Sequence, residues 1–174
     1  MKTLLLQVLL AFSIPCSLAQ VVHPALNDDP VFYKVLYNRI DYPINAINAH
    51  LFGRVYAGFR IDEKGKIQDI TILSPGNTKG PGTMKTGFEY VVCQALKHMP
   101  LLNPRYAGSY ALPIAFCYSN RTENQAVRKP VNQLDAEHLG NRLLLREYTS
   151  TINISAKFGS GSEAKEVWGY YAKN

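Results

Sequence analysis

Between Arg54 and Ser74 the chain has few options other than folding back on itself as two strands. Val55, Ala57, Phe59 and Ile61 alternate with Tyr56, Gly58 and Arg60, the period-two pattern of a strand with one face on a core. Asp62-Glu63-Lys64-Gly65 interrupts that pattern with a short turn, in which the glycine is free to take a positive φ. Lys66–Ser74 then returns, rich in β-branched residues. The pair reads as a β-hairpin, and any fold for this chain has to be built around it.

The flanking elements follow from their own periodicities. Pro43 suits the first helical position, where its missing N–H costs nothing. Ile44, Ile47 and Leu51 then share one face of a helix of about two turns, with Gly53 placed to end it. Residues 75–87 hold too much glycine and proline for a regular element. Phe88–Met99 reads as a second helix, with Phe88, Val91, Val92, Ala95, Leu96 and Met99 in one apolar stripe and Pro100 as its stop. Tyr110–Tyr118 reads as a third strand with Leu112, Ile114, Phe116 and Tyr118 on one face. Pro113 lies inside it and cannot donate to a ladder, which assigns the strand to an edge. The expected fold class is therefore α+β, two helices packed on a three-stranded antiparallel sheet.

At 174 residues, 47% hydrophobic and 18% charged, the chain has the length and composition of one globular domain with extensions. Residues 1–19 read as a secretory signal peptide: Met1-Lys2, an apolar run from Leu4 to Leu10, and small residues at Ser17 and Ala19. That predicts export, or a membrane anchor if the segment is retained; Thr3 to Ala19, broken by Pro15, is at the short limit for a span. Residues 20–40 read as an approach segment, with Pro24, Asp28, Asp29 and Pro30 as breakers before an apolar patch from Val31 to Leu36. The domain occupies 41–118, and 119–174 form a C-terminal extension. Within the extension, Gln133–Arg146 reads as a helix with Leu134, His138 or Leu139, and Leu145 inward, weakened by Gly140. Glu147–Lys157 reads as a strand, paired as a hairpin with 166–172. The tail strand is expected to cover part of the domain's open edge, because uncovered edges invite aggregation.

The chemistry-bearing residues are scattered. The net charge of +6 is spread along the chain with no basic cluster, which argues against nucleic-acid binding. His23, His50, His98 and His138 lie far apart, the carboxylates form no acid/base pair, and no phosphate loop, nucleophile elbow or zinc motif occurs. The expectation is a protein that is no enzyme and carries no cofactor or metal. Cys93 and Cys117 lack metal-site spacing; if Leu112, Ile114 and Phe116 face the helix, the two cannot meet at the separation a disulfide needs, and their redox state is left to the fold.

The ordered set of signals resembles the C-terminal domain of TonB. It consists of Tyr42-Pro43…Ala46 before a short helix, Gly53-Arg54-Val55 opening a strand, and Asp62…Gly65-Lys66-Ile67. These are followed by a strand ending Ile72-Leu73-Ser74, a helix from Phe88, Met99-Pro100, Asn103-Pro104, and a strand ending Ile114-Ala115-Phe116. The resemblance covers residues 42–118. It implies a periplasmic protein-binding module that takes an extended segment of an outer-membrane transporter by strand addition, in TonB-dependent transport across the outer membrane. The implied partner-binding residues are Ala111, Leu112, Ile114, Ala115, Phe116, Cys117 and Tyr118 along the last strand, and Gly76, Asn77 and Thr78 in the loop. The chain departs from the family in three respects. Residues 20–41 would reach only roughly 70–80 Å when extended, Pro113 removes a donor from the pairing strand, and residues 119–174 follow it. The alternative reading is a cell-envelope scaffold whose sheet edge is filled by its own tail.

Overall fold

The computed structural model describes residues 26–73, 87–120, 127–154, 164–168 and 171–172. The leader and the 76–78 loop lie outside the described residues, and no described helix is long and apolar enough to cross a membrane. The elements run α1 (Pro30–Arg39), α2 (Ile44–Asn48), β1 (Leu51–Ile61), β2 (Ile67–Leu73), α3 (Phe88–Lys97) and β3 (Gly108–Asn120). The tail adds β4 (Val127–Arg128), α4 (Ala136–Leu139), β5 (Leu143–Leu144), β6 (Tyr148–Ile154), β7 (Lys165–Trp168) and β8 (Tyr171–Ala172). The class is α+β, with a single sheet that is mixed and larger than three strands.

The hairpin forms as its sequence dictates. β1 and β2 pair antiparallel from Ile61–Ile67 to Tyr56–Leu73. Gly65 sits at φ +80, and a Cβ there would fall 1.9 Å from the Leu102 carbonyl oxygen, so no larger residue fits. The Asp62 carboxylate accepts hydrogen bonds from the Lys64 and Lys66 amides, both at 2.9 Å. The Lys66 bond is the main reason its pKa is lowered; the Lys64 amide and the charges of Arg60 and Lys64 act the same way, against some desolvation. Because folding lowers this pKa, the stabilisation is complete above the ordinary aspartate value and is lost as pH falls through the folded one. In an acid titration the Lys64 and Lys66 amide resonances should therefore move with a midpoint below that of an unfolded aspartate. A midpoint at or above it would contradict the turn geometry.

β3 pairs antiparallel with β1 from Gly53–Phe116 to Ile61–Gly108. Val55, Ala57, Phe59 and Ile61 face the helices together with Tyr110, Leu112, Ile114 and Phe116, all in one core cluster. α3 contributes Phe88, Val92, Ala95 and Leu96 to it, as its stripe predicts. The Phe88 and Phe116 rings stack at 4.2 Å, and Tyr42 meets each of them edge-on at 5.6 Å.

Two expectations about the N-terminal part are corrected. Residues 30–39 of the approach segment are a helix, because Asp29 and Pro30 start it instead of breaking the chain. The Asp29 side chain accepts from the Phe32 amide at 2.8 Å, and Pro30 occupies the first turn. Phe32 and Leu36, four apart, enter the core. The second correction concerns α2, which is a single short turn with Pro43 at its cap and Ala46 as its buried residue, while Ile44 is 65% exposed. Leu51 and Gly53 belong to β1, so Gly53 caps no helix.

Candidate functional site

Every described residue of the implied partner-binding strand lies in the interior of the sheet. Ala111, Leu112, Ile114, Ala115, Phe116, Cys117 and Tyr118 are all buried. β1 holds one edge of β3. On the other edge β5 pairs in parallel with Tyr110–Ala111, and β6 pairs in parallel from Ile114–Tyr148 to Asn120–Ile154. The expectation that β3 is an edge strand is thus corrected, and Pro113 fits without a conflict. It falls in the gap between these two partners, since β5 stops at Ala111 and β6 starts at Ile114.

The tail reaches this edge by a path that covers the second face of the sheet. β4 pairs antiparallel with Tyr118–Ser119. Since β6 holds the other edge there, β4 continues the edge that β1 leaves at Gly53–Phe116. The chain then crosses the face away from the helices to arrive at β5. Asn132 donates to the Arg54 carbonyl at 3.3 Å, and Arg142 comes so near Gly58 that a Cβ would meet its Nε at 2.9 Å. Tyr56, Ala111, Ala115 and Cys117, whose side chains point to this face, are buried as a result. The alternation of β1 therefore does not mean one wet face, as the sequence suggests.

No family model, no curated protein and no solved structure matches this chain.

Polar clasps hold the crossing segment in place. Arg54 bonds Glu147 through Nε at 2.5 Å and donates through Nη1 to the Asn132 carbonyl. Glu166 accepts from the Val131 and Asn132 amides at 2.7 and 2.9 Å. At the N-terminal side the Arg146 guanidinium sits 4.7 Å above the Tyr33 ring, its amide donates to Asn27 Oδ1, and Tyr33 donates back to the Arg146 carbonyl. Sequence reasoning missed these residues, since isolated polar side chains in three separate segments carry no local pattern. Of the predicted inward residues, Leu134 and Leu145 are buried, but the helix expected over Gln133–Arg146 is only α4, Ala136–Leu139, with Gly140 as its cap. Among the described residues the predicted hairpin of 147–157 with 166–172 does not form either. β6 pairs with β3, whereas β7 pairs in parallel with Leu51–Arg54 of β1 and turns back as β8.

Cys93 and Cys117 are both free. Burial pushes the Cys117 thiol up, reinforced by Glu147 and opposed by Lys129, Arg54 and a bond to Thr151. Burial likewise raises that of Cys93. Thiols held in the protonated form are poor nucleophiles. Among the described residues no cluster of histidine, cysteine and carboxylates could hold a metal. A groove between α1 and α3, lined in part by Arg39, Tyr90, Gln94 and His98, is shallow and open.

Proposed function

We propose that this protein is an exported, non-catalytic protein of the bacterial cell envelope. In this reading it uses a TonB C-terminal-like core as a scaffold and fills the peptide-binding edge of that core with its own tail. The antiparallel trio β2–β1–β3, with α2 and α3 on the helical side, supports the likeness of the core. The observation that carries the functional reading is the parallel pairing of Ile114–Asn120 with Tyr148–Ile154. Strand addition needs a row of free amides and carbonyls, and here β6 and β5 occupy that row. A transporter segment could pair with β3 only after these strands and the Arg54–Glu147 clasp were displaced.

The test is an NMR titration of residues 20–174 with peptides carrying transporter TonB-box sequences. The scaffold reading predicts no saturable shifts at millimolar peptide, with slow amide exchange at Ile114–Asn120 and Tyr148–Ile154 throughout. Saturable shifts confined to Ala111–Tyr118, accompanied by release of 148–154, would overturn it in favour of a gated module for transport across the outer membrane.

A further inference from the structure

Filling the edge of β3 creates a new edge one strand further out. Among the described residues β6 has a partner on its β3 side only. Folded proteins blunt such edges with charges, prolines or bulges, and this chain does so on its opposite flank. In β2, Asp69 takes φ +54, the β1–β2 register shifts between Gly58 and Arg60, and Arg60 pairs with Asp69 on the surface at 2.8 Å.

β6 has none of these devices. Its seven residues, YTSTINI, include no charge, proline or glycine, although the chain carries a net charge of +6. Thr149, Thr151, Ile152 and Ile154 are β-branched, which suits a pleated surface. Exposed Leu143 and Leu144 of β5 continue the same flank, at 63% and 54% exposure.

The strand is also complementary to itself. Turned antiparallel about Thr151, one copy sets Tyr148 against Ile154, Ser150 against Ile152 and Thr149 against Asn153. Residues directly opposite in an antiparallel pair share a face, and each of these pairs does. Tyr148, Ser150, Ile152 and Ile154 lie on the helical side with Ile114, Phe116 and Tyr118, while Thr149, Thr151 and Asn153 are exposed on the other. We infer that the outer edge of β6 is a homodimerisation site, at which two copies of this chain join their sheets around a twofold axis through Thr151. An aromatic–aliphatic pair and threonine–asparagine contacts favour this register, and a strand without charged residues places no like charges opposite each other in the contact.

This inference rests on the tail being seated as β6, as proposed above. The test is sedimentation equilibrium of residues 20–174, which contain every described element, from micromolar to millimolar concentration. The expected result is a monomer–dimer equilibrium. Thr149→Lys with Thr151→Lys places ammonium groups on the exposed face, where position 151 meets its own copy across the axis and position 149 lies diagonal to it. The double substitution should weaken the dimer about tenfold, through repulsion between the two copies of position 151 and their diagonal neighbours at 149, with part of the loss restored in 1 M salt and an unchanged circular dichroism spectrum. Asp69→Lys, on the β2 edge, should leave the dimer intact. A protein that stays monomeric throughout, or a dimer indifferent to the lysines, overturns the inference. Amide exchange at 148–154 in dilute protein separates the two failures. Protected amides without a dimer sink this inference alone, whereas unprotected amides sink the seating of the tail as well.

Discussion

Phe116→Ala should lower the unfolding free energy by about 3–5 kcal/mol, the largest effect expected of any single truncation in this protein. Phe116 is fully buried in the middle of β3. Its ring stacks on Phe88 of α3 and receives the edge of Tyr42, so three segments far apart in sequence meet on it. Alanine would leave a void bounded by two rings that cannot collapse into it, because Phe88 is anchored on its helix. The cost combines lost transfer energy with lost dispersion contacts. Denaturant unfolding followed by circular dichroism measures it directly. A loss below about 1 kcal/mol would mean that β3 is not held between α3 and the rest of the sheet.

Gly53→Val should cost about 3 kcal/mol, toward the upper end of what overpacking costs. A Cβ on Gly53 would lie 2.1 Å from the Val167 carbonyl oxygen and 3.1 Å from its carbonyl carbon. These are backbone atoms of β7, held in register by the Gly53–Val167 pairing, and they can give way only if the strand moves out. Val167, now 2% exposed, would leave the core with it. Amide exchange should show Lys165–Val167 losing protection while Tyr148–Ile154 stays slow. Gly53→Asn separates this account from a helix-capping glycine. Asparagine is tolerated at a left-handed cap, but it carries the same Cβ into β7 and should be nearly as destabilising as valine.

The contrast at Gly53 shows where sequence reasoning reaches its limit. Elements whose evidence lies within their own residues were legible. The alternation from Val55 to Ile61, the stripe from Phe88 to Leu96 and the alternation from Tyr148 to Ile154 each mark one buried face, and each forms the expected element. Beyond the β1–β2 hairpin, the antiparallel core and the general expectation that the tail covers an open edge, the partners and registers were not legible, since pairing is decided between residues distant in the chain. Nothing local in Tyr148–Ile154 says that it pairs with β3 and not with 166–172, and nothing local in Pro113 says that it falls in a gap between two partners. Asp29-Pro30 shows a different difficulty, because the same dipeptide that interrupts one helix is a favourable start for the next. The candidate site was readable only as a strand with partner-binding character inferred from a resemblance. That its edge is filled follows from the tail's crossing of the second face, held by Arg54, Asn132, Glu147 and Glu166, none of which stands in a periodic pattern.

The seating of the tail against β3 is the claim on which the rest depends, and a cysteine cross-link tests it most directly. Cys117 and Thr151 are partners in the parallel register, and their side chains are close enough to hydrogen-bond. In a Cys93→Ser background of residues 20–174, Thr151→Cys supplies a second thiol at that position. The account predicts that mild oxidation joins Cys117 to the introduced cysteine within one chain, identified by peptide mapping, with the fold unchanged. A Cys117 thiol that stays free and reactive in the folded protein under the same conditions would contradict it.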